Sequence, residues 1–205
     1  TGTLACVVAN TPAVSQYFFV PDELGRLHRT MLGTAAQWLP LIVLVIAMFT
    51  RAMSSPRMSG VIYWLVVSSI GVSSAVWFLL YKLDSIAGGF FITASAFGIM
   101  SLWGYTTQRD LSGWGKFLFM TLWGVIIAGL LSFFVPGMNL IINLIGVVLF
   151  AAFTAYDTQQ LKAVYYRIGG NQQAMSVATN MGALNFYLDF INMFQFLLSL
   201  GGGRR

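Results

Sequence analysis

Residues 139–157 read Asn139-Leu140-Ile141-Ile142-Asn143-Leu144-Ile145-Gly146-Val147-Val148-Leu149-Phe150-Ala151-Ala152-Phe153-Thr154-Ala155-Tyr156-Asp157. A bilayer-crossing helix needs roughly 20 mostly apolar residues. This run meets that length and carries a carboxylate at its end. A second apolar run holds Asn185-Phe186-Tyr187-Leu188-Asp189-Phe190-Ile191-Asn192. A carboxylate at the centre of a membrane helix costs about 2.5–3.5 kcal/mol on insertion scales, and such groups face a bundle interior or a wet cavity. The chain has six acidic residues, and the other four, Asp22, Glu23, Asp84 and Asp110, fall where loops are predicted.

Composition agrees with the reading of these runs. The chain is 58% hydrophobic and 8% charged, whereas a soluble domain is near a quarter charged. The expected fold class is therefore an all-α integral membrane protein, with lipid as its surroundings. The net charge of +5 is spread along the loops, which fits a membrane protein with basic cytoplasmic loops better than a nucleic-acid patch, so no nucleic-acid partner is expected. One cysteine, Cys6, excludes an intrachain disulfide and any multi-cysteine metal or redox motif. The one histidine, His28, lies in a polar segment, which excludes a histidine-rich metal site.

Seven helices are expected, forming a single transmembrane domain over 1–205. Residues 1–14 are apolar but too short to span, and read as the remaining C-terminal part of a first helix whose start is missing. Six further spans are predicted at 35–50, 60–81, 86–105, 117–135, 139–166 and 177–200. Strands are not expected, because the apolar runs are long and lack the alternation of a barrel. The loops after spans two, four and six carry Arg51, Arg57, Arg109, Lys116, Lys162 and Arg167, against Arg26, Arg29 and Lys82 in the others. That bias places the even loops and the N-terminus in the cytoplasm.

Small residues recur at packing distance, as in Ser69 and Ser73, Ala94 and Gly98, and Gly124 and Ala128. Close backbone approach there would associate helices in lipid. At about 100° per residue, Asn139, Asn143, Gly146, Thr154 and Asp157 fall within an arc of about 80°. Gly182, Asn185, Asp189, Asn192 and Ser199 fall within about 100°. Each aspartate thus belongs to a polar stripe, and consecutive helices are often neighbours. The structural reading is a polar link between helices, and the functional one is an ion or proton pathway.

Two carboxylates that meet in a low-dielectric site should share a proton, so that their titration belongs to the pair. A hard cation such as Ca²⁺ could take the proton's place on the same oxygens. Asp157 and Asp189 with a few amide and hydroxyl oxygens form a weak metal site, suited to passage rather than storage. No tightly bound cofactor is expected. Arg51, Arg57 and Lys162 are the rival cationic partners for Asp157.

Three stretches together resemble the Bax inhibitor-1 (transmembrane Bax inhibitor motif) family: Thr154-Ala155-Tyr156-Asp157-Thr158-Gln159, Phe186-Tyr187-Leu188-Asp189-Phe190-Ile191-Asn192 and Thr107-Gln108-Arg109-Asp110-Leu111-Ser112. The short loops resemble a bacterial member, in the inner membrane. The resemblance implies six helices around a central C-terminal seventh, and a pH-sensitive calcium leak. It implies that Asp157 and Asp189 are the proton-sharing, ion-pathway pair, with Arg51 as the latch on Asp157. Asn143, Thr154, Asn185 and Asn192 are the supporting polar residues of the two stripes.

The alternative is a membrane interaction protein that regulates cell death or a membrane protease through a membrane-protein partner, without transport. A proton-coupled transporter would show an internal repeat, and none is evident. An enzyme is not expected. The one histidine lies outside the spans, and Asp189 lacks the Gly-x-Gly-Asp context of a two-aspartate intramembrane protease.

Overall fold

Prolines and serines set the limits of the first helices. The computed structural model describes residues 1–21, 27–49, 55–132, 135 and 137–203. Helix α1 (Gly2–Asn10) stops at Thr11, which is extended at φ −106° and ψ 97°. Pro12 follows, and a residue before proline is pushed out of the helical region. One further turn, α2 (Pro12–Ser15), follows.

A short hairpin comes next and corrects the expectation of no strands. Strands β1 (Phe19–Pro21) and β2 (Leu27–Arg29) pair antiparallel, Phe19 opposite Arg29 and Val20 opposite His28. Phe19 and Val20 are good strand formers, and Phe19 is buried against Val8 and Ala75. Pro21, which has no N–H to donate, sits at the strand end, where that lack is tolerated.

Helix α3 (Met31–Phe49) runs through Pro40 without a break, as membrane-type helices often do. The third expected span is divided into α4 (Pro56–Ser73) and α5 (Ala75–Leu80) at Ser74. The hydroxyls of Ser69, Ser73 and Ser74 each donate to the carbonyl four residues back, at 2.6, 3.0 and 2.6 Å. Back-bonding of this kind bends and weakens a helix, which accounts for the interruption.

The remaining helices are α6 (Leu83–Thr106), α7 (Trp114–Leu131), α8 (Met138–Ile168) and α9 (Gln172–Gly201). Asp84 lies in the first turn of α6 rather than in a loop. Its charge there is favoured by the positive end of the helix dipole. The connection between the two aspartate helices is also shorter than its sequence indicates. Gly169 and Gly170 take the left-handed conformation at φ 58° and 87°, and α9 begins at Gln172. Glycine adopts that conformation without penalty, so α8 can end and α9 start within three residues.

Among the described residues, five stretches are long and apolar enough to cross a membrane: Pro56–Leu80, Leu83–Thr106, Trp114–Leu131, Met138–Ile168 and Gln172–Gly201. Met31–Leu44 is a shorter apolar helix. The protein is a multi-pass membrane protein.

The described residues form two compact units. One holds Thr1–Leu83 and Gln172–Met181. In it α3 packs along α4, and α1 lies against α4 and α5. Asn180 Nδ2 donates to the Pro56 carbonyl at 3.2 Å and to the Ser59 hydroxyl at 2.9 Å, tying the start of α9 to the start of α4.

The other unit holds Asp84–Asn171 and Gly182–Gly203. Its core gathers Leu118, Val125, Ile142, Leu149, Phe150, Phe153 and Met193. Helices α6 and α8 touch backbone to backbone at Gly104, where a Cβ would stand 2.3 Å from the Ala155 carbonyl oxygen. Helices α8 and α9 meet at Gly146, whose missing side chain makes room for the Phe196 ring, and at Gly182, which makes room for Leu161. By contrast, nothing among the described residues lies within 4 Å of a Cβ at Gly98 or Gly124. The expected small-residue contacts at those two positions are absent, and close approach occurs at other glycines.

Candidate functional site

Asp157 on α8 and Asp189 on α9 belong to the same compact unit and are near enough to interact electrostatically. Asp189 is 4% exposed, and Asp157 is half-buried. The Asn185 side chain lies beside the Asp157 carboxyl. Asn185 precedes Asp189 by one helical turn, about 40° away on the same face. One face of α9 thus brings both an amide and a carboxyl toward Asp157.

Asp189 Oδ2 is buried without a hydrogen-bond partner among the described residues. Burying an unpaired charge is costly, so this oxygen calls for a proton, a cation or a cationic side chain. Arg51, the expected latch, lies outside the described residues. Among the described residues no group of three or more His, Cys, Asp or Glu is placed to hold a metal ion. The two aspartates together with the Asn185 amide oxygen offer hard-oxygen donors, which suit Ca²⁺ but fall short of its usual six to eight.

The rest of the two stripes divides into packing and self-contained bonds. The Thr154 hydroxyl, fully buried, donates to the Phe150 carbonyl at 2.8 Å. Asn192 Nδ2 donates to the Leu188 carbonyl at 2.7 Å. Both serve their own helix. Asn143 is half-buried and Asn139 is exposed. Gly146 and Gly182 are seam positions against Phe196 and Leu161. Of the four supporting residues, Asn185 is the one that lies beside an aspartate carboxyl.

Lys162, one rival for Asp157, is engaged elsewhere. Its Nζ donates to the Tyr105 carbonyl at 2.9 Å and sits 4.6 Å from the centre of the Tyr105 ring. Arg57 lines an open groove of about 620 Å³ on α4 with Val61, Trp64 and Leu65.

The structure adds a residue whose role the sequence did not reveal. Gln159, two residues beyond Asp157, clamps the loop after α6. Its Nε2 donates to the Arg109 carbonyl at 2.8 Å, and its Oε1 accepts from the Leu111 amide at 2.7 Å. Two of the stretches that looked distinctive in sequence, 107–112 and 154–159, are therefore in direct contact. Their only sequence signal was that both stood out, since residues about 50 positions apart carry no spacing rule.

Known proteins resemble this chain in sequence along its whole length. The family described as "Inhibitor of apoptosis-promoting Bax1" matches over residues 1–205. A protein of Caulobacter vibrioides is 45% identical over 208 residues, covering 100% of this chain and 83% of its own length. The inner membrane protein YbhL of Escherichia coli K12 is 37% identical over 211 residues, covering 100% of this chain and 86% of its own. The protein RP147 of Rickettsia prowazekii is 37% identical over 181 residues, covering 87% of this chain and 76% of its own.

Proposed function

Since the chain belongs to the Bax inhibitor-1 family of membrane proteins, we propose that it is a pH-sensitive calcium leak channel governed by Asp157 and Asp189. The observation that carries this reading is the buried Oδ2 of Asp189, without a hydrogen-bond partner among the described residues and beside a second carboxyl. An intramembrane carboxyl without a fixed partner is suited to exchanging a proton for a cation. The pair shares a proton under acid conditions, and Ca²⁺ passes by way of the same oxygens. Arg51 acts as the latch on Asp157, and its release accompanies opening. In this proposal the chain has seven spans, α9 corresponds to the central helix, and the N-terminus is cytoplasmic. Like the relative named an inner membrane protein, it resides in a bacterial inner membrane, as a passive pathway rather than an enzyme.

The test is Ca²⁺ flux into proteoliposomes across pH for the parent, Asp157→Asn and Asp189→Asn. Both variants should flatten the pH response and change the flux, because an amide cannot take up the proton. Arg51→Ala should leak faster than the parent. A pH profile identical to the parent's in both aspartate variants would sink the proposal. Activity in partner regulation that survives loss of both carboxyls would instead favour an interaction protein without transport.

A further inference from the structure

A cavity of about 340 Å³ opens where the loop after α6 meets the C-terminal end of α8, with neither Asp157 nor Asp189 on its wall. Arg109, Gln108 and Ser112 contribute from the loop, and Gln160 and Arg167 from α8. Its volume lies at the lower end of the range for small-molecule sites. Neither guanidinium forms an ion pair with another described residue. The one acid on the wall, Asp110, has an oxygen turned to its own loop, accepting from the Ser112 amide at 2.8 Å. The wall thus carries two positive charges against one negative charge, in fork-shaped groups that match a phosphate's oxygens.

The position of the cavity identifies the phosphate's source. Helix α8 has 31 residues, about 46 Å at 1.5 Å per residue. That exceeds a hydrocarbon core of about 30 Å, so a helix end must emerge from it. The same region carries a belt of exposed aromatics: Trp103, Tyr105, Trp114, Tyr165 and Tyr166. Trp103 and Trp114 face one another with ring centres 6.3 Å apart. Exposed Trp and Tyr at span ends sit at the level of lipid headgroups. An arginine-lined cavity at that level meets phospholipid phosphates before any soluble anion.

We propose that the cavity between Arg109 and Arg167 binds the phosphate of an anionic phospholipid headgroup. The loop clamp by Gln159 holds the Arg109 backbone in place, so one arginine is presented by a tethered loop and the other by a helix end. The site needs neither the calcium pathway nor a particular leaflet.

Native mass spectrometry of the detergent-solubilised full chain, titrated with short-chain phosphatidylglycerol, phosphatidylcholine or inorganic phosphate, tests this. Phosphatidylglycerol should bind the parent at the lowest concentration. A basic residue near the headgroups is worth about 1 kcal/mol, so Arg109→Gln and Arg167→Gln should each raise half-saturation about fivefold. The pair of lysine variants, keeping the charge but losing the fork, should bind more weakly than the parent and more tightly than the pair of Gln variants. Lys82→Gln, in the other compact unit, should not alter it. Equal binding of phosphatidylcholine, or of phosphatidylglycerol to the double Gln variant, would overturn the proposal. Saturation by inorganic phosphate with no preference for the lipid would overturn the lipid source.

Discussion

At the level of single residues, the four acids among the described residues sort by what their surroundings do to a negative charge. Asp84 sits at a helix start, and Asp157 and Asp189 sit together inside a helical unit. Asp110 is exposed in a turn, where the Ser112 backbone amide, and then its hydroxyl, hold the carboxyl below its ordinary value of 3.8. A carboxyl lowered by folding stabilises above its unfolded value and loses that contribution as pH falls through its folded value. The Ser112 amide should therefore be protected from hydrogen exchange above about pH 3.8 and lose protection in stronger acid. In Asp110→Asn, whose amide oxygen still accepts but does not titrate, protection should not change with pH once intrinsic rates are removed. Identical acid loss in both proteins would show that another group controls the turn. The helical angles placed Asn185 and Asp189 on one face, which was legible in sequence. Which of the stripe's polar groups turns inward was not, because Thr154 and Asn192 satisfy themselves on their own backbone carbonyls.

At the level of elements, apolar run length located the helices well, and hydrogen-bonding chemistry moved their ends. The serine back-bonds that divide α4 from α5, and the left-handed glycines that close α8, act locally on a pattern that hydropathy alone smooths over. The hairpin at 19–29 escaped notice because three-residue strands in a polar stretch give almost no periodic signal. The contact between α8 and the loop after α6 depends on Gln159. Gln159→Leu would leave the amide of Leu111, itself 1% exposed, without its partner. An unsatisfied buried donor costs about 1–3 kcal/mol. Hydrogen exchange over residues 109–112 should accelerate about tenfold to a hundredfold on that scale, while the exchange of α9 stays unchanged. Unaltered exchange in the loop would mean that the clamp does not hold it.

At the level of the whole molecule, orientation is open to a direct chemical test. Cys6 is the one cysteine, so replacing it with serine gives a clean background. A cysteine at Gln108 should then react with an impermeant maleimide only after the inner membrane is opened, and one at Lys82 should react in intact spheroplasts. The reverse pattern would invert the proposed topology. Membrane residence and the positions of most helices were settled by the sequence itself. Some 20 apolar residues in a row have one stable home, and a helix is the form that satisfies their backbone there. The two aspartates also announced themselves by sequence, since an acid in such a run is costly wherever it ends up. Tertiary structure alone decided which partners met. Asn185 reaching Asp157, Gln159 holding a loop some 50 residues away, and glycines 104 and 146 admitting a neighbouring helix depend on packing between distant segments. Helical period is a property of one segment, and it carries no information about the separation and rotation of the segment beside it.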